Sequence, residues 1–237
     1  MNFPDICSVD RNKDLMKEIL SFLLDLKQNN NRDWFNSHKS RYQESLEHFR
    51  QFTGELLTGI AGFDPAVGDL VPKDAIFRIY KDVRFSKDKS PYKTHFGCWM
   101  AKGGRKSTDA GYYFHLEPGN SFLAAGVWMP PKEQLKLIRQ EIVYQPEAYM
   151  KVINDPLIKK NYERGGKEDM LKKGPAGFPK DGPMLEEIKY KHYVYSRNYS
   201  DAEILDKGLA ARAVRDYQGL YPLVTYLNHA MSFSGNQ

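Results

Sequence analysis

Cysteine is nearly absent from this chain. Cys7 and Cys98 are the two it has, far apart and without C-x-x-C spacing. That argues against a disulfide framework or a zinc knuckle and favours a reducing compartment. Long apolar runs are missing as well, and no stretch approaches the roughly 20 residues of a membrane span. The start, MNFPDICSVDRNKDL, has no basic segment followed by an apolar core, so no secretory signal is read there. The resulting expectation is a cytoplasmic protein. Charge of one sign is not in large excess: 35 Lys and Arg stand against 30 Asp and Glu, a net +5. Such a balance suits anionic ligands but falls short of a dedicated nucleic-acid binder. The phosphate-loop pattern G-x-x-x-x-G-K-S/T, the nucleophile elbow G-x-S-x-G and a G-x-G-x-x-G following a strand are all missing. ATP-loop, hydrolase-triad and dinucleotide readings therefore lack support. None of the six histidines has an H-x-H or H-x-x-x-H partner, so no metal site declares itself. The pair His115 and Glu117, an H-x-E, is a weak signal for a metal or for a base with its orienting partner, and the cofactor is left open. No internal repeat is present.

Aromatics are plentiful, with 15 Tyr and 13 Phe in 237 residues. Their burial is what offsets chain entropy, so disorder is excluded. Leu15, Ile19, Phe22, Leu23 and Leu26 share one helical face over 13–27. A longer helical period runs from Trp34 through His38, Tyr42, Leu46, Phe49, Thr53 and Leu56 to Ile60. Asn31 or Asp33 is its expected cap and Gly62 its end. After Pro65 and Pro72 the period shortens to two. Phe77, Ile79, Val83 and Phe85 fall on one face of a predicted strand over 75–85, and Arg78, Tyr80, Asp82 and Arg84 on the other. Lys93–Ala101 reads as a second strand, and 111–129 as two more around Pro118-Gly119-Asn120.

Helical period returns from Pro131. A Gly, Pro and Lys-rich loop over 163–183 reads as mobile, a candidate lid. Residues 189–199 suggest a further strand. Ser200 and Glu203 make a capping box, and a last helix is placed after Pro222. Helices, then strands, then helices, without βαβ alternation, predict an α+β fold. The expectation is a central antiparallel sheet of about four or more strands in one domain spanning 1–237, with helical flanks over 1–63 and 131–237 and the sheet core over 72–130.

The densest chemistry lies in FRIYKDVRFSKDKSPYKTHFG, residues 77–97. Two guanidiniums flanking a carboxylate can grip a phosphate or carboxylate bidentately. An Asp82 paired to both arginines is the plainer alternative. The following turn offers Ser86, Lys87, Lys89, Ser90 and Lys93 as donors. If the strands are neighbours, Lys93 and His95 join Arg78 and Arg84. The expected ligand face is thus Arg78, Tyr80, Asp82, Arg84, Lys93 and His95. Proton-carrier candidates are His95, His115, Glu117 and Asp82, with His115 and Glu117 sharing a strand face as an H-x-E pair. Trp99 and Trp128 read as core residues. Small residues Ala124, Ala125 and Gly126 let another backbone or a ligand come close, a tightly packed helix being the commoner reason.

The segment 77–97 resembles the signature of the domain of unknown function 2461 family. NNNRDWFNSHKSRY, GYYFHLEPGNSFLAAGVW and GPAGFPKDGPMLEEIKYKHYVYSR fit the same pattern, so the resemblance spans nearly the whole chain. It implies a single coherent domain and brings no activity or catalytic residues with it. Within NNNRDWFNSHKSRY, Trp34 and His38 share a helix face, and local packing is the reading preferred for them over reach toward the charged strand. The functional expectation is binding of an anionic small molecule, with or without catalysis. A nucleic-acid-binding module, with Tyr80, Tyr92 or Trp99 stacking on bases, and a structural or partner-binding domain are the alternatives.

Overall fold

The computed structural model describes residues 6–84 and 87–232, with side chains from Lys13 onward. The side chain of Cys7, and Phe85 and Ser86, lie outside the described residues. The fold is α+β. Its helices are α1 (Ile6–Gln28), α2 (Arg32–Ser37), α3 (Lys39–Ala61), α4 (Pro72–Ala75), α5 (Lys132–Tyr144), α6 (Pro146–Ile153), α7 (Pro156–Asn161), α8 (Leu185–Ile188), α9 (Asp201–Ile204) and α10 (Leu209–Ser232). Five strands form one antiparallel sheet: β1 (Phe96–Met100), β2 (Gly111–Leu116), β3 (Ser121–Val127), β4 (Glu163–Arg164) and β5 (Tyr193–Tyr199), in the order β1-β2-β3-β5-β4. No helix among the described residues is long and apolar enough to cross a membrane.

The chain divides into two compact units of three segments each. Met1–Arg105, Tyr113–Leu123 and Asn198–Arg215 form the first, and Lys106–Tyr112, Ala124–Arg197 and Asp216–Gln237 the second. In the first, α1 buries Ile19, Phe22, Leu23 and Leu26 completely, as the three-to-four spacing requires. Phe22 and Phe49 stack on Phe96 of β1, at 6.5 and 5.3 Å between ring centroids, and Phe52 meets Phe114 of β2 edge-on at 4.9 Å. Helices α1 and α3 thereby cover the β1–β2 face. Cys98 is a free thiol within this core, and burial pushes its pKa up to about 12, so it stays protonated and inert at neutral pH. In the second unit, α10 buries Tyr217, Leu220, Leu223, Val224 and Leu227.

Four elements differ from the sequence reading. The long helical period divides at His38, which leaves helical dihedrals (φ −111°, ψ 23°) between α2 and α3. Its ring stacks on Trp34 at 4.1 Å and sets Nδ1 2.8 Å from the Trp34 carbonyl oxygen, a local arrangement as expected for that pair. Asn31 caps α2, its side chain accepting from the Trp34 N–H.

Residues 75–84, the described part of the expected strand, are not a strand. They form two isolated bridges, Ile76 to Cys98 and Tyr80 to Tyr92. Pro91 has no N–H to give, and the Asn30 side-chain amide takes both backbone groups of Tyr92, accepting from its N–H at 3.1 Å and donating to its carbonyl at 2.9 Å. Single bonds from the Lys81 N–H to the Pro91 carbonyl (2.9 Å) and from the Lys93 N–H to the Ile79 carbonyl (2.8 Å) join the two segments, and the absent Pro91 N–H breaks the ladder beyond them. The alternation of faces persists nonetheless: Ile79 is buried, while Arg78, Tyr80, Asp82 and Arg84 are exposed.

The final helix begins at Leu209 and carries Pro222 inside it rather than before it. The lost backbone bond is offset by the apolar face on either side of the proline. Trp128 is 52% exposed, not core, and stacks on the buried His192 ring at 3.9 Å. Within 163–183, Glu163 and Arg164 pair with Ser196 and Tyr195 as β4, and only the remainder is loop and short helical turn. The Ser200–Glu203 capping box is present at α9.

Candidate functional site

Alternation along β2 turns Tyr112, Phe114 and Leu116, all fully buried, toward the core. The intervening side chains, Tyr113 and His115, share the opposite face with Glu117 just beyond the strand end. There the chain turns at Gly119, whose φ of +73° suits glycine, and returns as β3. The turn is pinned by Ser121, which accepts from the Glu117 N–H at 3.1 Å and donates to the Glu117 carbonyl at 2.8 Å. Because β1 neighbours β2, His95, one residue before β1, comes to lie against His115 with ring centroids 4.1 Å apart. Phe122 flanks the His115 ring at 4.7 Å.

The polar contacts of this cluster are specific. His115 Nδ1 lies 3.0 Å from the Tyr113 hydroxyl, and His115 Nε2 3.3 Å from Glu117 Oε2. Thr94 donates to Glu117 Oε1 at 2.8 Å, and Asn120 to Oε2 at 3.0 Å. Gly97 makes room for Tyr113, since a Cβ there would sit 2.7 Å from the phenolic oxygen. Burial pushes the Glu117 carboxyl up, but the hydrogen bonds from Asn120, Thr94 and His115 together outweigh it and hold the pKa below the ordinary glutamate value. Glu117 is therefore ionised at neutral pH. Burial also lowers His115, against the pull of Glu117, and Tyr113 is raised by burial and stays a phenol. His95 is depressed to about 4, by burial first and then by its neighbour His115. A neutral imidazole oriented by an ionised carboxylate is a base with its positioning partner. His95, His115 and Glu117 each offer one metal-ligand atom, all within 4.8 Å of one another.

The depressed His95 carries a pH prediction for the metal-free protein. Its folded value lies below the unfolded 6.5, so between those two values the unfolded chain holds the extra proton. The stability it contributes is fully present above pH 6.5 and drains away as pH falls toward about 4. After discounting for partial exposure this is roughly 2 kcal/mol. Urea titrations in EDTA across that window should show the loss in the wild type and a shallower slope in His95→Gln. Equal slopes would refute the assignment.

The structure brings His95, His115 and Glu117 together, with Lys93 within electrostatic reach of His95, while Asp82 and Arg84 pair with each other. Lys93 is half-buried, with its ammonium 5.5 Å from the centre of the Phe77 ring. Burial and the nearby Arg78 charge both lower its pKa. Asp82 and Arg84 form a bidentate pair with each other, at 2.9 and 2.7 Å, on the exposed side. Lys81, on the inward face, pairs with Asp88. Thr94 and His95, adjacent in sequence, both reach the β2 cluster, which strict alternation over 93–96 would forbid; neither belongs to β1.

A family model for a conserved hypothetical protein, DUF2461, matches residues 18–226. The chain belongs to the DUF2461 family. Comparison with curated proteins and with solved structures gave no match. In this DUF2461 chain the residues that sequence reasoning passed over are Thr94, Tyr113, Asn120 and Phe122. Tyr113 was reachable by extending the H-x-E alternation back two places, and Asn120 by its place in the Pro-Gly-Asn turn. A second histidine also escaped notice: His192 accepts from the Met129 N–H at 3.0 Å and faces Asp169 at 3.3 Å beneath Trp128. A cleft of about 620 Å³ between α1 and α3, lined by Asp14, Lys17, Glu18, Ser21, Arg41 and Glu44, shares no residue with the histidine cluster.

Proposed function

We propose that this protein binds a small phosphate- or carboxylate-bearing molecule on the face bearing Arg78, Tyr80, Asp82, Arg84, Lys93 and His95. The observation that supports this reading is the pairing of like charges at Arg78 and Lys93. Lys93 is half-buried, Arg78 is close enough to depress it, and neither makes an ion pair among the described residues. Asp82 lies within electrostatic reach of Arg78 but is itself paired with Arg84, so two cations without an ion pair of their own are relieved by a bound anion. Arg84 contributes less, because its guanidinium is already bidentate on Asp82. The half-buried imidazole of His95 lies within electrostatic reach of Lys93, and His95 in turn packs on the buried His115.

Calorimetric titration with inorganic phosphate and with acetate at low ionic strength, in EDTA, tests this. Saturable binding of at least one is expected. Lys93→Met keeps the apolar stem and should weaken that binding about 10-fold to 100-fold, the range for losing one charged contact. Arg84→Ala should change it by less than about threefold. No saturable heat, or an unaffected Lys93→Met, overturns the reading. Salt-steep binding of random oligonucleotides in place of phosphate would transfer the face to nucleic acid.

A further inference from the structure

We propose that His95, His115 and Glu117 form a site for one divalent transition-metal ion of the zinc or cobalt kind. The site borders the anion face but stands without it, since it needs neither Lys93 nor Arg78.

Ligand chemistry and spacing carry the argument. Two imidazoles and one carboxylate are a common donor set for such ions, and three protein ligands leave a coordination position open. Two donors on a shared tetrahedral ion, each about 2.0–2.2 Å from it, stand about 3.4 Å apart. His115 Nε2 and Glu117 Oε2 are already 3.3 Å apart. The widest separation in the set, at most 4.8 Å, exceeds the ideal by about 1.4 Å, which rotation of the His95 ring can close. That ring makes no hydrogen bond or ion pair to any described residue, so turning it breaks no polar contact and changes only its packing on His115. Its nitrogens are not sealed in the core either.

The surroundings fit a ligand role. Thr94 and Asn120 each donate to one oxygen of Glu117 and hold the carboxylate in place. Tyr113 does the same for His115, and a hydroxyl is suited to the task for a particular reason. Without metal, Nε2–H of His115 can donate to Glu117 while Nδ1 accepts from the Tyr113 O–H. With metal, Nε2 must offer its lone pair, and Nδ1–H then donates to the same phenolic oxygen. A hydroxyl is donor and acceptor, so the one partner serves both tautomers. A carbonyl in its place would serve one. The bland alternative is an apolar-flanked stack of two neutral histidines with a satisfied glutamate, and metal binding separates the two.

Tag-free, full-length protein stripped with EDTA, dialysed and titrated with cobalt(II) chloride at about pH 7.5, above the histidine range, provides the test. One Co²⁺ per chain with a visible ligand-field band is expected, bleached by one equivalent of Zn²⁺. His95→Gln, His115→Gln and Glu117→Gln should each weaken binding about 100-fold or more, and Tyr113→Phe about 10-fold. Circular dichroism establishes that each variant is folded. Should a variant at the more buried His115 fail to fold, the half-buried His95→Gln carries the test by itself. A folded wild type that gives no band overturns the proposal, as does a band that survives His95→Gln unchanged. The phosphate titrations run in EDTA keep the readings apart: phosphate binding without cobalt binding sinks only the metal site.

Discussion

Gly126→Ala is expected to destabilise the second unit by roughly 3–5 kcal/mol, combining backbone strain with overpacking. Gly126 sits near the end of β3 at φ +127°, where L-residues are rarely found. A Cβ built there lies 2.0 Å from the Tyr193 carbonyl oxygen and 3.0 Å from Val194 Cα, both backbone atoms of the neighbouring strand β5. No rotamer change relieves a clash with backbone, so β3 and β5 must separate or the residue must leave its conformation. Gly119→Ala is the matched control. It has φ +73° but nothing within 4 Å of the added Cβ, so it costs only the left-handed strain of about 1 kcal/mol. Scanning calorimetry of the two variants should show a much larger fall in Tm for Gly126→Ala. Equal, small shifts would mean that β3 and β5 are not held as described.

Arg164→Met should cost a comparable amount, about 3–5 kcal/mol, because it strands a buried carboxylate. Arg164 and Glu187 pair at 2.5 Å with side chains 13% and 20% exposed. Tyr149 closes the triangle, accepting from Arg164 at 2.9 Å and donating to Glu187 at 3.0 Å, and the guanidinium lies 3.6 Å from the centre of the Tyr190 ring. Burial opposes the Arg164 charge, but Tyr149 and Glu187 outweigh it and raise its pKa, so the guanidinium stays charged. The double variant Arg164→Met/Glu187→Leu removes both charges and should recover most of the loss. Urea denaturation of the four species reads the coupling. A single-variant loss below about 1 kcal/mol would place the pair among weak surface bridges instead.

These two expected effects rest on contacts that periodicity does not report. Arg164 fell within a stretch rich in Gly, Pro and Lys that reads as loop, yet two of its residues pair with β5. Gly126 was legible as a place of close approach, with a packed helix the commoner expectation; the neighbour is the backbone of strand β5. Which backbone approaches it was not legible. The charged segment 77–84 shows the same division. Its two faces followed from alternation, and the burial of Ile79 against the exposure of Arg78 and Tyr80 agrees. Its hydrogen bonding did not, because the Asn30 side chain that holds both backbone groups of the facing Tyr92 lies 62 positions away.

What the sequence determined by itself is local. The period of each element, the Asn31 cap and Ser200–Glu203 box, the Pro-Gly-Asn hairpin and the shared face of His115 and Glu117 all depend on residues a few places apart. The α+β class and the family followed from the order of those elements and from the 77–97 signature. Tertiary structure alone decided that His95 meets His115, that Arg84 folds back on Asp82 while Lys93 comes within reach of Arg78, and that Trp128 faces solvent. The physical reason is the same in each case. Backbone period is encoded by neighbours along the chain, whereas strand adjacency and side-chain partnership depend on which distant segments share a buried surface.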